Sequence, residues 1–308
     1  MTSLLVLSEM IASAIRMSVP LLLAALGAIY SERCGIVNIG LEGMMIFGSF
    51  WGALGSYMSG PGLGIIFAIL AGMFLALIHA VVSVRFRVNQ IVSGVALNIL
   101  AYGATRFASI TIFKMATTSP HVPNFEALDV PFLSEVAVLK PLFSGVSPLI
   151  PVTVILAVAT HWVIQKTVFG LRLRAVGENP LAADTLGVPV FALRYAGVLL
   201  SGAFAGLAGA YLAIEHTGMY VEGMTQGKGF IALAATIFGN WSPLGASLAS
   251  LLFGFAESLS FRVVQGGVIP YQFIKMIPYL LTLSVLAGVV GKANPPASSG
   301  IPYERGGE

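Results

Sequence analysis

Stretches free of Asp, Glu, Lys and Arg divide this chain into apolar intervals of membrane-spanning length. A helix needs about 20 largely apolar residues to cross a bilayer. The interval between Glu42 and Arg85 holds two such helices, with Gly60-Pro61-Gly62 as the turn between them. Further charge-free intervals run over residues 88–105, 141–165 and 195–214. The interval 229–256 is interrupted by Asn240-Trp-Ser-Pro243, so it crosses once as a broken helix or twice. Residues 276–291 close the series. The run from Met17 to Tyr30 precedes Ser31-Glu32-Arg33 and lacks both a basic start and a small-residue cleavage pattern. It reads as a retained first helix in preference to a cleaved leader. The pattern predicts an all-α polytopic membrane bundle of about 8–9 spans (roughly 7–10), with broken or re-entrant segments.

Composition agrees with this reading. Of 308 residues, 57% are hydrophobic and only 9% are charged, whereas soluble domains carry roughly 25% charged residues. The formal charge of +3 is spread in ones and twos along the chain, which gives nucleic acid no basic patch to bind. A single cysteine, Cys34, rules out an intrachain disulfide and a cysteine metal cluster. The histidines at 79, 121, 161 and 216 have no metal-binding spacing.

Orientation follows from Lys and Arg, which concentrate in cytosolic connections. Arg33, the Arg85/Arg87 pair, the group Lys166, Arg172 and Arg174, and the tail with Lys292 and Arg305 can all face the cytosol together. This solution puts the amino terminus outside and the carboxyl terminus inside, and it requires nine spans. Residues 1–291 then form one transmembrane domain. Residues 114–147, rich in proline, make an extracytoplasmic segment that folds as a small cap or an irregular connector. Residues 167–192 lie in the cytosol, and 292–308, with Pro295-Pro296-Ala-Ser-Ser-Gly, read as a disordered cytoplasmic tail.

Three polar islands interrupt the apolar pattern. In the first, Asn179-Pro180 supplies a helix cap followed by proline at the first helical position, where its missing N–H costs nothing. The segment 181–186 makes about one and a half turns, and Gly187 ends it before Pro189. Small residues at Ala182 and Ala183 allow a close fit in a groove, unless the segment is an ordinary linker helix. The second island holds Asn38 and Glu42 among Gly35, Gly40 and Gly43. A carboxyl group at membrane depth marks a solute pathway by default, or else it caps or anchors the next helix. Asn89 is a helix cap, whereas Asn98 lies within its span and bonds another helix or a solute. The third island contains Phe230, Asn240 and Trp241 around a helix too short to span. Ser201-Gly-Ala-Phe-Ala-Gly-Leu-Ala-Gly209 spaces small residues for close helix packing.

Catalytic chemistry is not evident. Gly223-Met-Thr-Gln-Gly-Lys-Gly229 has the wrong glycine spacing for a nucleotide loop and no hydroxyl after its lysine. No hydrolase elbow or paired-carboxylate pattern stands out. The chain reads as a non-enzyme, and any use of ATP would take place on another polypeptide.

Four motifs occur together and in order: Ser31-Glu-Arg…Asn38-Ile-Gly-Leu-Glu-Gly-Met-Met45, Asn89-Gln-Ile-Val-Ser-Gly94, Arg174-Ala-Val-Gly-Glu-Asn-Pro180, and Gly229-Phe-Ile-Ala-Leu-Ala-Ala…Phe238-Gly-Asn-Trp241. In these the chain resembles the permease subunits of bacterial nucleoside and simple-sugar ABC importers, relatives of the ribose and branched-chain amino-acid permeases. The resemblance implies a multi-pass protein of the bacterial cytoplasmic (inner) membrane, surrounded by lipid. It also implies a second homologous permease, two ATP-binding subunits or one tandem ATPase holding ATP and Mg, and an extracytoplasmic substrate-binding lipoprotein. This chain would bind no cofactor or metal itself. The coupling helix that docks in the ATPase would comprise Arg174, Gly177, Glu178, Asn179, Pro180, Ala182, Ala183, Asp184 and Gly187. Asn38, Glu42, Asn89, Asn98, Phe230, Asn240 and Trp241 are the candidate pathway residues. Nucleosides lead as substrate over simple sugars or a riboflavin-like vitamin. A secondary transporter or channel is the competing class.

Overall fold

The structure, a computed structural model, describes residues 2–129, 138–265, 276, 280 and 293–304. Regular structure among them is helical, apart from two isolated bridges, Thr118 to Val221 and Leu128 to Val146. In chain order the helices are α1 (Thr2–Arg33), α2 (Leu41–Ser59), α3 (Pro61–Ala80), α4 (Gln90–Phe113), α5 (Lys140–Phe143), α6 (Leu149–Lys166), α7 (Val168–Glu178), α8 (Pro180–Thr185), α9 (Val190–Ala210), α10 (Lys228–Phe238) and α11 (Pro243–Gln265). Two of them end in π-helical turns, Val81–Arg85 after α3 and Tyr211–His216 after α9.

Among the described residues, six helical segments are long and apolar enough to cross a membrane. They are α1, α3, α4, α6, α9 and α11, with α3 and α9 counted together with their π turns. This is fewer than the sequence intervals suggest, for physical reasons. The α2 helix is 19 residues long but rich in glycine and serine, and α10 has only 11 residues. The interval 276–291 lies almost wholly outside the described residues.

The α1 helix forms the axis of the bundle. At 32 residues it is about 48 Å long, longer than a hydrocarbon core of roughly 30 Å. Pro20 sits inside it without ending it. Its stretch from Leu21 to Tyr30 is buried against α9, α10 and α11. Beside it, α2, α3 and α9 meet at very short range. A Cβ added to Gly72 would lie 2.1 Å from the Gly202 carbonyl oxygen, and one on Gly206 would lie 2.1 Å from that of Ala68. This close approach is what the small-residue spacing of 201–209 leads one to expect. Large apolar side chains instead face outward from α4, α6 and α11, among them Ile99, Phe107, Ile155 and Leu248. In lipid such a surface has no reason to hide.

The carboxyl-terminal segment departs from expectation. Residues 293–304 are not a disordered tail: Ser298 and Tyr303 are buried, and their neighbours bond to the bundle. Proline and glycine deny this stretch a helix, so its backbone groups find partners on α7 and on the α1–α2 linker instead. The described residues of the proline-rich segment, 114–129 and 138–147, are irregular apart from α5, and the two bridges fasten them.

Candidate functional site

The α7–α8 corner is made by local signals. Thr167 starts α7 by accepting a hydrogen bond from the Gly170 N–H at 3.2 Å. Asn179 is extended (φ −148°, ψ 92°), so it ends α7 and begins α8, and its side chain accepts from the Ala182 N–H at 3.0 Å. Pro180 follows at the first helical position. Gly187 adopts φ +77°, which lets its own N–H reach the Asp184 carbonyl and closes the helix. That α7 is helical was not legible from its charges: Arg172 and Arg174 lie on a helix whose opposite face buries Leu173 and Val176.

The corner presents two faces. Glu178, Asn179, Leu181, Ala182 and Gly187 are exposed, and Leu186, 83% exposed, is the most accessible large apolar side chain of the segment. Pro180, Arg174 and Asp184 are half-buried, with the Arg174 Nε donating to the Gly170 carbonyl at 3.4 Å. Gly177 and Ala183 turn inward. A Cβ on Gly177 would lie 2.2 Å from the Arg33 carbonyl, so this glycine seats α7 on the end of α1. Of the two small residues expected to fit a groove, Ala182 is available and Ala183 is committed to the bundle. Asn179→Ala is expected to weaken the first turn of α8 by about 1 kcal/mol. Amide hydrogen exchange at Ala182 should quicken about fivefold, with exchange in α9 unchanged.

A second constellation joins the interrupted helices. The Glu42 carboxylate, 2% exposed, accepts from the Thr225 hydroxyl at 2.5 Å, the Gly227 N–H at 2.9 Å and the Gly229 N–H at 2.7 Å. A side chain on α2 therefore caps the amino terminus of α10, a half-length helix entered through the loop 217–227. Next to it, Lys228 pairs with Glu257 of α11 at 2.6 Å. The Asn98 amide ties the first turn of α2 to the linker before it, accepting from the Gly43 N–H at 2.7 Å and donating to the Ile39 carbonyl at 3.1 Å. Asn38 donates to the Ser201 hydroxyl at 2.9 Å. The same linker is held by two residues that did not stand out in the sequence. The Gln90 Oε1 accepts from the Val37 N–H at 2.7 Å, and the His79 ring lies 3.1 Å from the Val37 carbonyl. A histidine within an otherwise apolar helix was the available signal.

The remaining candidates are dispersed. Asn89 is exposed and caps α4 through the Ile91 and Val92 N–H groups. Phe230 is 48% exposed on α10. Asn240 and Trp241 both have positive φ in the turn between α10 and α11. There the Arg33 Nε donates to the Trp241 carbonyl at 2.9 Å, and the Trp241 indole donates to Glu32. Asn240 and Trp241 thus lie at the α7–α8 end of the bundle, while Asn38, Glu42 and Asn98 cluster inside it.

At the opposite end of the bundle lies a cavity of about 490 Å³. It is an open cleft lined by Arg16 of α1, by Asn124 and Phe125 of the irregular segment, and by Tyr211, Glu215 and His216 of the π turn. The Glu215 carboxylate accepts from the Phe125 N–H at 3.0 Å, and the Tyr211 hydroxyl donates to the Arg16 carbonyl at 3.1 Å. Arg16 lies 17 residues before Arg33, about 25 Å along the helix. A π turn commonly marks a functional position, because it re-aims side chains out of the helical register.

Residues 10–287 match the family model described as branched-chain amino acid transport system / permease component. The chain is 42% identical to the guanosine ABC transporter permease protein NupQ of Bacillus subtilis (strain 168), over 98% of each chain. It is 40% identical to the nucleoside ABC transporter permease protein NupC of Lactococcus lactis, over 96% of this chain and 97% of that one. A putative glucose ABC transporter permease protein, TsgC13 of Haloferax volcanii, is 35% identical over 88% of each. A helical membrane bundle with an exposed, capped α8 corner, and with a match of this extent, belongs to the branched-chain amino acid transport system permease component family of ABC transporters.

Proposed function

We propose that this chain imports nucleosides as one half of a permease pair, driven by ATP hydrolysis on separate subunits. The observation that carries the reading is the α7–α8 corner. It is a capped, exposed element with an apolar tip at Leu186, rooted on the central helix α1 and placed at the end of the bundle opposite the polar cavity. In this reading the corner faces the cytosol as the coupling helix, and the ATPase subunits, or one tandem ATPase, dock on Glu178 to Gly187. Their closure moves α8 and switches the pair between inward-open and outward-open states. The segment 114–147 and the cavity face outward, where a binding lipoprotein delivers solute. If α2, α10 with its entry loop and the interval 276–291 are counted beside the six long helices, the chain crosses the cytoplasmic membrane nine times, with its carboxyl terminus inside.

A second permease is supported by companion proteins. The guanosine permease protein NupP of the same Bacillus strain as NupQ is 28% identical to this chain, and NupB of the same Lactococcus strain as NupC is 24% identical. Nucleosides are favoured over sugars because NupQ and NupC are more similar than TsgC13. The cavity chemistry is compatible: an aromatic ring at Phe125 and donors and acceptors at Asn124 and Glu215 suit a flat base bearing a hydroxylated ring. Glu42 and Asn98 spend their hydrogen bonds holding the interrupted helices, and Asn38 commits its amide nitrogen to Ser201 while its Oδ1 is left without a partner. They act as the frame of the pathway, and the solute meets the cavity first.

Reconstitution of the full complex in proteoliposomes tests this. Labelled guanosine is expected to enter only with ATP, the binding protein and both permeases present, and excess glucose should not compete. Uptake by this chain alone, without ATPase subunits, would instead indicate a secondary transporter or channel.

A further inference from the structure

We infer that residues 294–303 are a mechanical strap that makes the α7–α8 corner and the two interrupted-helix junctions move as one body. The inference rests on the coupling reading of α8. Its basis is a set of contacts converging on a segment without regular structure. The Ser298 N–H and hydroxyl both donate to the Gly177 carbonyl, at 2.9 and 2.7 Å. The Ala297 N–H reaches the Glu178 carboxylate at 3.3 Å, and the Tyr303 hydroxyl reaches the Asp184 carboxylate at 2.9 Å. The corner is thus held at the end of α7 and again on α8.

On its other side the segment binds the body of the bundle. The Gly300 N–H donates to the Gly35 carbonyl in the α1–α2 linker at 3.2 Å. Gly35 has φ +85°, and a Cβ there would lie 2.5 Å from the Ser298 hydroxyl, so only glycine admits the approach. The Asn294 N–H, at the start of the strap, donates to Asn240 at 3.0 Å in the turn between α10 and α11. Arg194 of α9 fixes the middle. Its guanidinium donates to the Ile301 carbonyl at 3.2 Å and lies 5.9 Å from the Tyr303 ring centroid. The residue is 1% exposed, and the Ile301 carbonyl and Tyr303 ring cover it from the strap side. A charge buried in this way is costly without such partners, so the strap and Arg194 depend on each other.

The consequence is mechanical. A six-residue helix cannot by itself stay folded or transmit force, because helices below about 12 residues are marginal alone. The backbone connects α8 only to α7 and α9. The strap adds direct links to the 34–40 linker and the 239–242 turn, where helix continuity is broken. Displacement of α8 by an ATPase would therefore pull on both junctions.

The test uses the complete importer with its ATPases and binding protein, measuring solute moved per ATP hydrolysed. A permease ending at Ala293 should assemble normally and still hydrolyse ATP, with transport per ATP falling at least about fivefold. The milder S298A/Y303F pair should fall about twofold in the same ratio. A purely structural role would lower assembly and both activities together. If the truncated chain fails to assemble, the conservative pair decides. An unchanged ratio in S298A/Y303F overturns the strap. If Gly187→Val and Glu178→Ala remain coupled, the α8 reading itself falls. If they uncouple while strap variants do not, only the strap falls.

Discussion

Gly206→Val is expected to abolish accumulation of folded protein in the membrane. A Cβ at this position would lie 2.1 Å from the Ala68 carbonyl oxygen and 2.9 Å from its carbon. On the α2 side, a Cβ built on Gly48 would lie 2.5 Å from the Gly206 Cα, so α2 leaves no room for α9 to retreat. Both neighbours are backbone, which cannot change rotamer to relieve the clash. Overpacking in an ordinary core costs about 1–3 kcal/mol, where side chains can yield. Here three helices would have to separate, and the cost should exceed about 3 kcal/mol, a large fraction of total stability. Size-exclusion chromatography of a fluorescent fusion reads the result. Gly103→Val is the control, since nothing lies within 4 Å of a Cβ there, and it should elute as wild type. A monodisperse Gly206→Val peak of wild-type height would show that α2, α3 and α9 are not packed this tightly.

The parts of the molecule that were legible in advance are those fixed by local chemistry. Gly60-Pro61-Gly62 separates α2 from α3 because the backbone at Gly60 has φ +88° and proline can open the following helix. The break at 240–243 follows from Asn240 and Trp241 adopting positive φ before Pro243. Asn179, Pro180 and Gly187 delimit α8 for reasons that lie within nine residues of one another. Partners distant in sequence were not legible. Glu42 stood out as costly, but its receptors lie more than 180 residues away. Nothing near Ser298 announces that its partner is the carbonyl of Gly177, and low complexity alone made the segment read as disordered. The cavity went unseen for the same reason, because Arg16, Phe125 and Glu215 meet only once the irregular segment folds back over α1.

Glu42→Ala should produce the second large effect, by a different route. The amino terminus of a helix leaves backbone N–H groups without partners, and within a bilayer water does not supply them. Glu42 satisfies the Gly227 and Gly229 N–H groups and the Thr225 hydroxyl with its two oxygens, and it opposes the positive end of the α10 dipole. Removing it leaves buried donors at about 1–3 kcal/mol each, so a total near 4 kcal/mol is reasonable. For a chain of this size that corresponds to a melting temperature lower by roughly 8–15 °C. Glu42→Gln should fall between the two, since its carbonyl still accepts while its amide turns a donor toward N–H groups. The loss should centre on α10, whose close seat on α2 leaves a Gly229 Cβ only 2.5 Å from the Glu42 backbone nitrogen. Scanning fluorimetry in detergent gives the melting temperatures, and hydrogen exchange locates the loosened segment. A Glu42→Ala protein melting within about 2 °C of wild type would mean that α10 draws its capping from elsewhere, and would return Glu42 to the solute pathway. The expected loss, with faster exchange confined to residues 225–232, would identify Glu42 as the pin that holds a half-helix at membrane depth.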